Sequence, residues 1–119
     1  YLFVAEVDGR LAGTAGLEWH GPYVLLRSVA VKRGLRAHGV GRMLVATALE
    51  AARAAGARAA YLLTTTAQAY FERLGFERLE RAALPAELQR SAEVGGACPE
   101  SAVAMVLALE GPTGQGPRG

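Results

Sequence analysis

Cysteine occurs once in these 119 residues, at Cys98, so no internal disulfide can form, and no Cys/His grouping has the spacing of a zinc site. That excludes the small disulfide-stapled scaffolds and leaves no metal site to name. A surplus of one charge sign is lacking too: thirteen Lys and Arg against eleven Asp and Glu leave a net charge of +2. So small a surplus does not make the electrostatic footprint of a duplex nucleic-acid binder. No apolar run is longer than the stretch around Val103–Leu109, far short of the ~20 residues a membrane span needs. Neither a signal peptide nor an internal repeat is visible. Lysine is nearly absent, Lys32 standing alone among arginines, a bias that reads as GC-rich coding rather than function. Together these absences predict a soluble, cytoplasmic protein with no nucleic-acid, membrane or metal partner.

What is present is a core. Apolar residues make up 51% of the chain, enough to exclude disorder, and the length fits one domain. The sequence opens at Tyr1 inside a strand-like run, which suggests a missing amino-terminal piece. Leu2–Val7 reads as a strand, Asp8-Gly9 as a type I′ turn, and Arg10–Glu18 as a second strand in which Gly13 and Gly16 weaken the strand or permit close approach. His20-Gly21-Pro22 is a turn, and Tyr23–Val31 is a more continuously apolar strand. A helix is expected over Gly39–Ala55, its stripe formed by Val40, Met43, Leu44, Ala48, Ala51, Ala52 and Ala55, with Gly56 ending it. Ala59–Thr64 then forms a strand parallel to Tyr23–Val31. A short helix over Ala67–Leu74, a strand over Phe76–Arg81, a helical turn from Pro85 and a last strand over Ala102–Leu109 follow. Residues 111–119, rich in glycine and proline, read as a disordered tail.

The informative segment runs from Val29 to Arg42. Small residues at Ala37, Gly39 and Gly41 leave backbone N–H groups unobstructed at a helix start, where orphan donors and the positive end of the dipole favour an anion, above all a diphosphate. Arg33, Arg36 and Arg42 add charge at the rim. A tight turn also uses glycine, so a bare Gly-x-Gly is weak. Arg-x-x-Gly-x-Gly between a Val-x-Val strand and an amphipathic helix is a stronger signal.

Arg36-x-x-Gly39-x-Gly41 resembles the pyrophosphate motif of the GNAT acyltransferases, which bind acetyl-coenzyme A. Ala67-x-x-x-Phe71-x-x-x-Gly75-Phe76 resembles the family's later motif, which lines the pantetheine arm. The resemblance covers residues 1–110. It implies an α/β fold with a mixed, mostly antiparallel sheet, a splayed parallel central pair and flanking helices, here lacking the usual opening strand and helices. It implies that Val29 and Val31 face the thioester through backbone N–H groups. Arg36, Ala37, Gly39, Val40, Gly41 and Arg42 cradle the diphosphate, and Thr64 and Phe71 lie along the pantetheine. A narrower resemblance, to the arsenic-operon branch, rests on Leu26-Arg27-Ser28-Val29-Ala30-Val31, Tyr61-Leu62-Leu63-Thr64-Thr65-Thr66-Ala67 and Cys98-Pro99-x-Ser101-Ala102.

The implied activity is direct acetyl transfer, in a ternary complex, from acetyl-coenzyme A to the amine of a small molecule such as an amino acid or amino-acid-like arsenical. Departures from the family pattern qualify it. Phe71 stands where a proton-donating tyrosine is frequent, and phenylalanine donates nothing. Tyr70, about 100° around the helix, is the alternative donor. Thr64 replaces a frequent asparagine. Glu18 and His20 are the candidate bases, and a solvated strand end is the plain alternative for both. Arg27 reads as a buried arginine that requires an anionic partner, either Glu18 or an acidic group on the acceptor. A lone Cys98 packs as a small apolar residue more readily than it captures arsenic. Two other readings stay open: a non-catalytic module that senses acyl-coenzyme A or an amino acid, and a degraded fragment. A homodimer stays open as well.

Overall fold

The computed structural model describes residues 2–32, 39–89 and 102–109. The readings placed on Arg33, Arg36, Ala37, Cys98 and the 111–119 tail lie outside these residues. Strands β1 (Leu2–Val7) and β2 (Arg10–His20) form an antiparallel hairpin about Asp8-Gly9. Asp8 at φ 55° and Gly9 at φ 77° adopt the left-handed pair of conformations that a two-residue type I′ turn demands. Strand β2 runs to His20 rather than stopping at Glu18, because His20 still pairs with Tyr23 and the turn is confined to Gly21-Pro22. Strand β3 (Tyr23–Val31) lies antiparallel to β2, and helix α1 (Val40–Ala54) leads to β4 (Ala59–Thr64), which is parallel to β3. Helix α2 (Gln68–Arg73) and β5 (Glu77–Leu79) follow, then a 3₁₀ turn at Arg81–Ala83, a helical turn over 86–89 and β6 (Val103–Ala108). The sheet order is β1-β2-β3-β4-β6-β5, antiparallel throughout except for β3–β4. The expected strand over Phe76–Arg81 shortens to three residues because only those pair with β6.

Helix α1 buries Val40, Gly41, Leu44, Val45, Ala48 and Ala52, whereas Met43, Ala51 and Ala55 of the expected stripe are exposed. Alanine tolerates either environment at little cost, so an alanine-rich helix leaves its facing to its few larger residues, here Leu44 and Val45. The helix closes as expected at Gly56 in a Schellman pattern: Ala57 N–H donates to the Ala52 carbonyl (2.9 Å) and Gly56 N–H to that of Arg53 (3.0 Å). The same pattern ends α2, with Phe76 N–H on the Phe71 carbonyl at 3.1 Å. Both helices cover one face of the sheet, where Leu17, Val24, Leu26, Leu44, Val45, Leu62, Phe71, Phe76 and Met105 form the main core. On the other face Leu25 and Ala104 pack with Leu84 and Leu88, flanked by Tyr23, Tyr61 and Leu79.

Gly13 is the close-approach glycine that the sequence suggested. A Cβ there would sit 2.8 Å from both the Ala30 carbonyl oxygen and Leu44 Cδ1. The first is backbone and cannot step aside, so Gly13→Ala is expected to lower stability by ~1–3 kcal/mol, read from chemical denaturation. An unchanged midpoint would show that β2 and β3 separate freely at this point.

Candidate functional site

The sheet opens along its one parallel seam. Strands β3 and β4 pair only at Tyr23–Leu25 against Ala59–Tyr61. Beyond that point β3 stays on β2 as far as Val31, and β4 stays on β6 as far as Thr64, so each strand follows its outer neighbour and the two part. A bulge accompanies the parting. Gly16 faces Arg27 but Thr14 faces Ala30, so β3 carries one residue more than β2 across this interval. Bulges of this kind bend the strand that holds the extra residue. The result is a cleft of about 1090 Å³, walled by Leu26–Val31 residues of β3, by Leu62–Thr64 of β4, and by the facing ends of α1 and α2. Its charged lining residues among those described are Arg27, Arg42 and Arg73, with no carboxylate.

Gly39 and Gly41, at the start of α1, line this cleft. Gly39 is the N-cap residue, at φ 76°, and offers no side-chain cap, and the first turn carries no acidic residue. Its first N–H groups are therefore free of the side-chain acceptors that usually satisfy them. A Cβ at Gly41 would meet the Tyr70 hydroxyl at 2.9 Å and Val31 Cγ2 at 3.1 Å, so the absence of a side chain is what lets α1, α2 and β3 converge. Val40 turns its side chain into the core and can offer a ligand only its backbone. Val29 and Val31 both line the cleft.

On the other wall, Thr64 Oγ1 accepts the Ala67 N–H at 3.0 Å, fixing the entry to α2 and leaving the hydroxyl proton to donate elsewhere. Phe71 borders the cleft but is only 7% exposed, stacked edge-on against Phe76 and Tyr70. Tyr70 is the phenol of this wall. Burial pushes it above the ordinary tyrosine range while the charges of Arg42 and Arg73 pull it part of the way back, so it keeps its proton at neutral pH.

Arg27 corrects the expectation of a buried guanidinium: its side chain is 47% exposed, because β3 presents it at the cleft rim rather than inside the sheet. The pairing with Glu18 is present, Nη1 donating to Oε1 at 3.3 Å and Oε2 at 3.4 Å. His20 Nε2 lies 3.0 Å from Glu18 Oε1. Glu18 is not part of the cleft wall. Register puts it beside Leu25, on the face away from α1 and α2, one side chain behind Arg27. Glu18 and Tyr70 therefore stand on opposite sides of the opening. The sequence reading missed Arg73 and Thr66 in the lining and the bulge in β3. The short helix carrying Arg73 was visible, but nothing local says which way its last turn points.

A family model described as an acetyltransferase (GNAT) domain matches residues 1–78. Comparison with curated proteins gives no significant match. Among solved structures, N-acetylglutamate synthase from Neisseria gonorrhoeae, complexed with coenzyme A and N-acetyl-glutamate, is similar with a TM-score of 0.82 and 23% identity over 92% of this chain. The present chain spans 26% of that one. Rv2747 from Mycobacterium tuberculosis, in complex with CoA and NLQ, gives 0.78 and 23% identity, with 92% of this chain and 76% of that one covered. The ribosomal-protein-S18-alanine N-acetyltransferase from Escherichia coli gives 0.72 and 20%, covering 97% and 72%. At these identities the solved structures speak for the fold, and the family model, which spans more than half of the sequence, agrees with them. Together they make the chain a member of the GNAT acetyltransferase family.

Proposed function

We propose that the chain is an acetyl-coenzyme A-dependent N-acetyltransferase acting on a small amine that also carries an acidic group. The observation that carries this reading is the cleft at the parted β3–β4 seam, apolar along its strands and bounded by arginines. The residues present suit an elongated anion with amide groups of its own. Strand edges that have lost their ladder need hydrogen-bond partners, and Gly39 and Gly41 admit a phosphate to uncapped N–H groups. Arg36, Ala37, Val40 and Arg42 would complete that cradle, the first two from outside the described residues, and Thr64 and Phe71 would flank the pantetheine. When bound, acetyl-coenzyme A supplies the acetyl group as a thioester.

The chain's own residues then divide the remaining work. Backbone N–H groups of Val29 and Val31 stabilise negative charge growing on the thioester oxygen. An amine with a pKa near ~10 must lose a proton before it attacks, and Glu18, steadied by Arg27 and His20, accepts that proton. Arg27 uses only Nη1 on Glu18, so its other donors are left for a carboxylate or oxyanion on the acceptor. Tyr70, on the opposite side of the opening, returns a proton to the departing thiolate. The Neisseria relative's complex with N-acetyl-glutamate agrees with an amino-acid acceptor, and the arsenic-operon resemblance extends the class to amino-acid-like arsenicals.

Thiol release from acetyl-coenzyme A across a panel of amines tests the activity. Release driven by amino acids is the expected outcome, and binding of the coenzyme with no release by any amine would favour a sensing module. Tyr70→Phe is expected to lower kcat about 100-fold, the scale of general acid catalysis, with coenzyme affinity unchanged. An unaltered kcat would show that the thiolate leaves without a proton from the protein.

A further inference from the structure

Two rows of paired residues cross the sheet at the closed end of the parallel seam. In the first, Tyr23 pairs with Ala59 and Ala59 with Ala108; in the next, Tyr61 pairs with Val106 and Val106 with Glu77. Paired residues share a face of the sheet, and Tyr23 and Tyr61 lie on the one away from α1 and α2. Ala59 and Ala108 are short, so the tyrosines on one side and Glu77 on the other stand above a lowered floor. The hollow between them measures about 540 Å³, and Arg58 lines it too. Among the described residues it has no lining in common with the coenzyme cleft, and nothing in the chemistry proposed above uses it.

The walls of the hollow differ in chemistry. The Tyr23 and Tyr61 rings stand at 88° to each other with centroids 5.6 Å apart, an edge-to-face pair that makes an aromatic corner. Burial pushes the Tyr61 phenol up, and Tyr23 beside it pushes the same way, so the phenol keeps its proton at neutral pH and can donate it. Glu77 is exposed, and its carboxylate has no ion-pair partner among the described residues. Arg58 is exposed as well, and the five N–H donors of a guanidinium let it hold a ligand carboxylate alongside its other contacts. A ligand of one charge sign would be attracted by one of these groups and repelled by the other. A zwitterion satisfies both.

Independently of the coenzyme reading, we infer that this hollow is a binding site for a free amino acid with an apolar side chain. The ammonium meets Glu77 and the tyrosine rings, and the carboxylate takes donors from Arg58 and a phenol. The side chain covers the apolar floor of Ala59, Val106 and Ala108.

The experiment is amide chemical-shift titration of the full chain with L-leucine, with leucinamide, which lacks the carboxylate, and with N-acetyl-leucine, which lacks the ammonium. L-Leucine is expected to give saturable shifts at Tyr23, Ala59, Glu77 and Ala108, and each analogue to bind about tenfold more weakly. Ala108→Leu, at an exposed strand position, fills the floor without touching a charged group and is expected to abolish these shifts. Glu77→Gln and Arg58→Gln are each expected to weaken L-leucine about tenfold and to leave coenzyme A affinity unchanged. Equal binding of all three compounds, or no saturable shift at these residues, would overturn the inference. So would L-leucine shifts confined to Glu18 and Arg27 and unaltered by Ala108→Leu, which would place the amino acid at the acceptor end of the cleft.

Discussion

Gly41→Glu is expected to abolish coenzyme A binding, by 100-fold or more in calorimetric titration, which is about 3 kcal/mol. Two effects add. A side chain at this position begins 2.9 Å from the Tyr70 hydroxyl and 3.1 Å from Val31 Cγ2, so α2 or β3 must give way before any ligand arrives. The new carboxylate then stands beside Arg42 and the uncapped start of α1, supplying from within the anion that the proposed site takes from solution. Gly39→Glu reaches the same end by another route. Open space surrounds a Cβ there, but φ 76° holds the backbone in the left-handed region, at a cost of ~1–2 kcal/mol for a residue with a side chain. Comparison of the two separates crowding from charge. A folded Gly41→Glu protein that keeps wild-type affinity would remove the start of α1 from the binding site.

Arg27→Leu is expected to change which amines are accepted far more than it changes stability. The Arg27–Glu18 pair is roughly half exposed on each side, and pairs of that kind contribute ~0–1 kcal/mol, so the melting temperature should hardly move. Loss of a charged contact to an acceptor carboxylate is a larger matter, ~2–4 kcal/mol in kcat/KM, or roughly 30-fold and upward. The fall should be seen with amino acids and other acidic amines and be much smaller with amines that carry no acid. Equal loss on both classes would mean that Arg27 serves only to hold Glu18. A pronounced drop in melting temperature would mean that the pair is structural after all.

Much of the sheet was legible because its strands are punctuated by turn chemistry. Asp8-Gly9 and Gly21-Pro22 fix the hairpins, and the bounds of β1, β3 and β4 follow from apolar runs between such breaks. The glycines at the start of α1 were legible for the same reason, since Gly39 and Gly41 are required by backbone geometry and close packing that only glycine satisfies. What the sequence hid depends on tertiary registration. The extra residue of β3 between Arg27 and Ala30 is visible only against β2, and it is this bulge that accompanies the opening of the seam. Arg27 looked buried because it lies in an apolar strand. Exposure follows from the strand's departure from β4, which no local pattern records. Met43 looked like core because it sits three residues from Val40, but three buried alanine and glycine positions leave the facing of α1 to Leu44 and Val45.

The measurement closest to the central claim is amide chemical-shift mapping of the full chain during titration with coenzyme A. The largest changes are expected along both sides of the parted seam and at the start of α1: Val29, Val31, Gly39, Gly41, Arg42 and Thr64. Residues of the smaller hollow across the sheet, Tyr23, Ala59, Glu77 and Ala108, should stay where they are. Changes centred on that hollow, or saturation with no shift at Gly39 and Gly41, would contradict it.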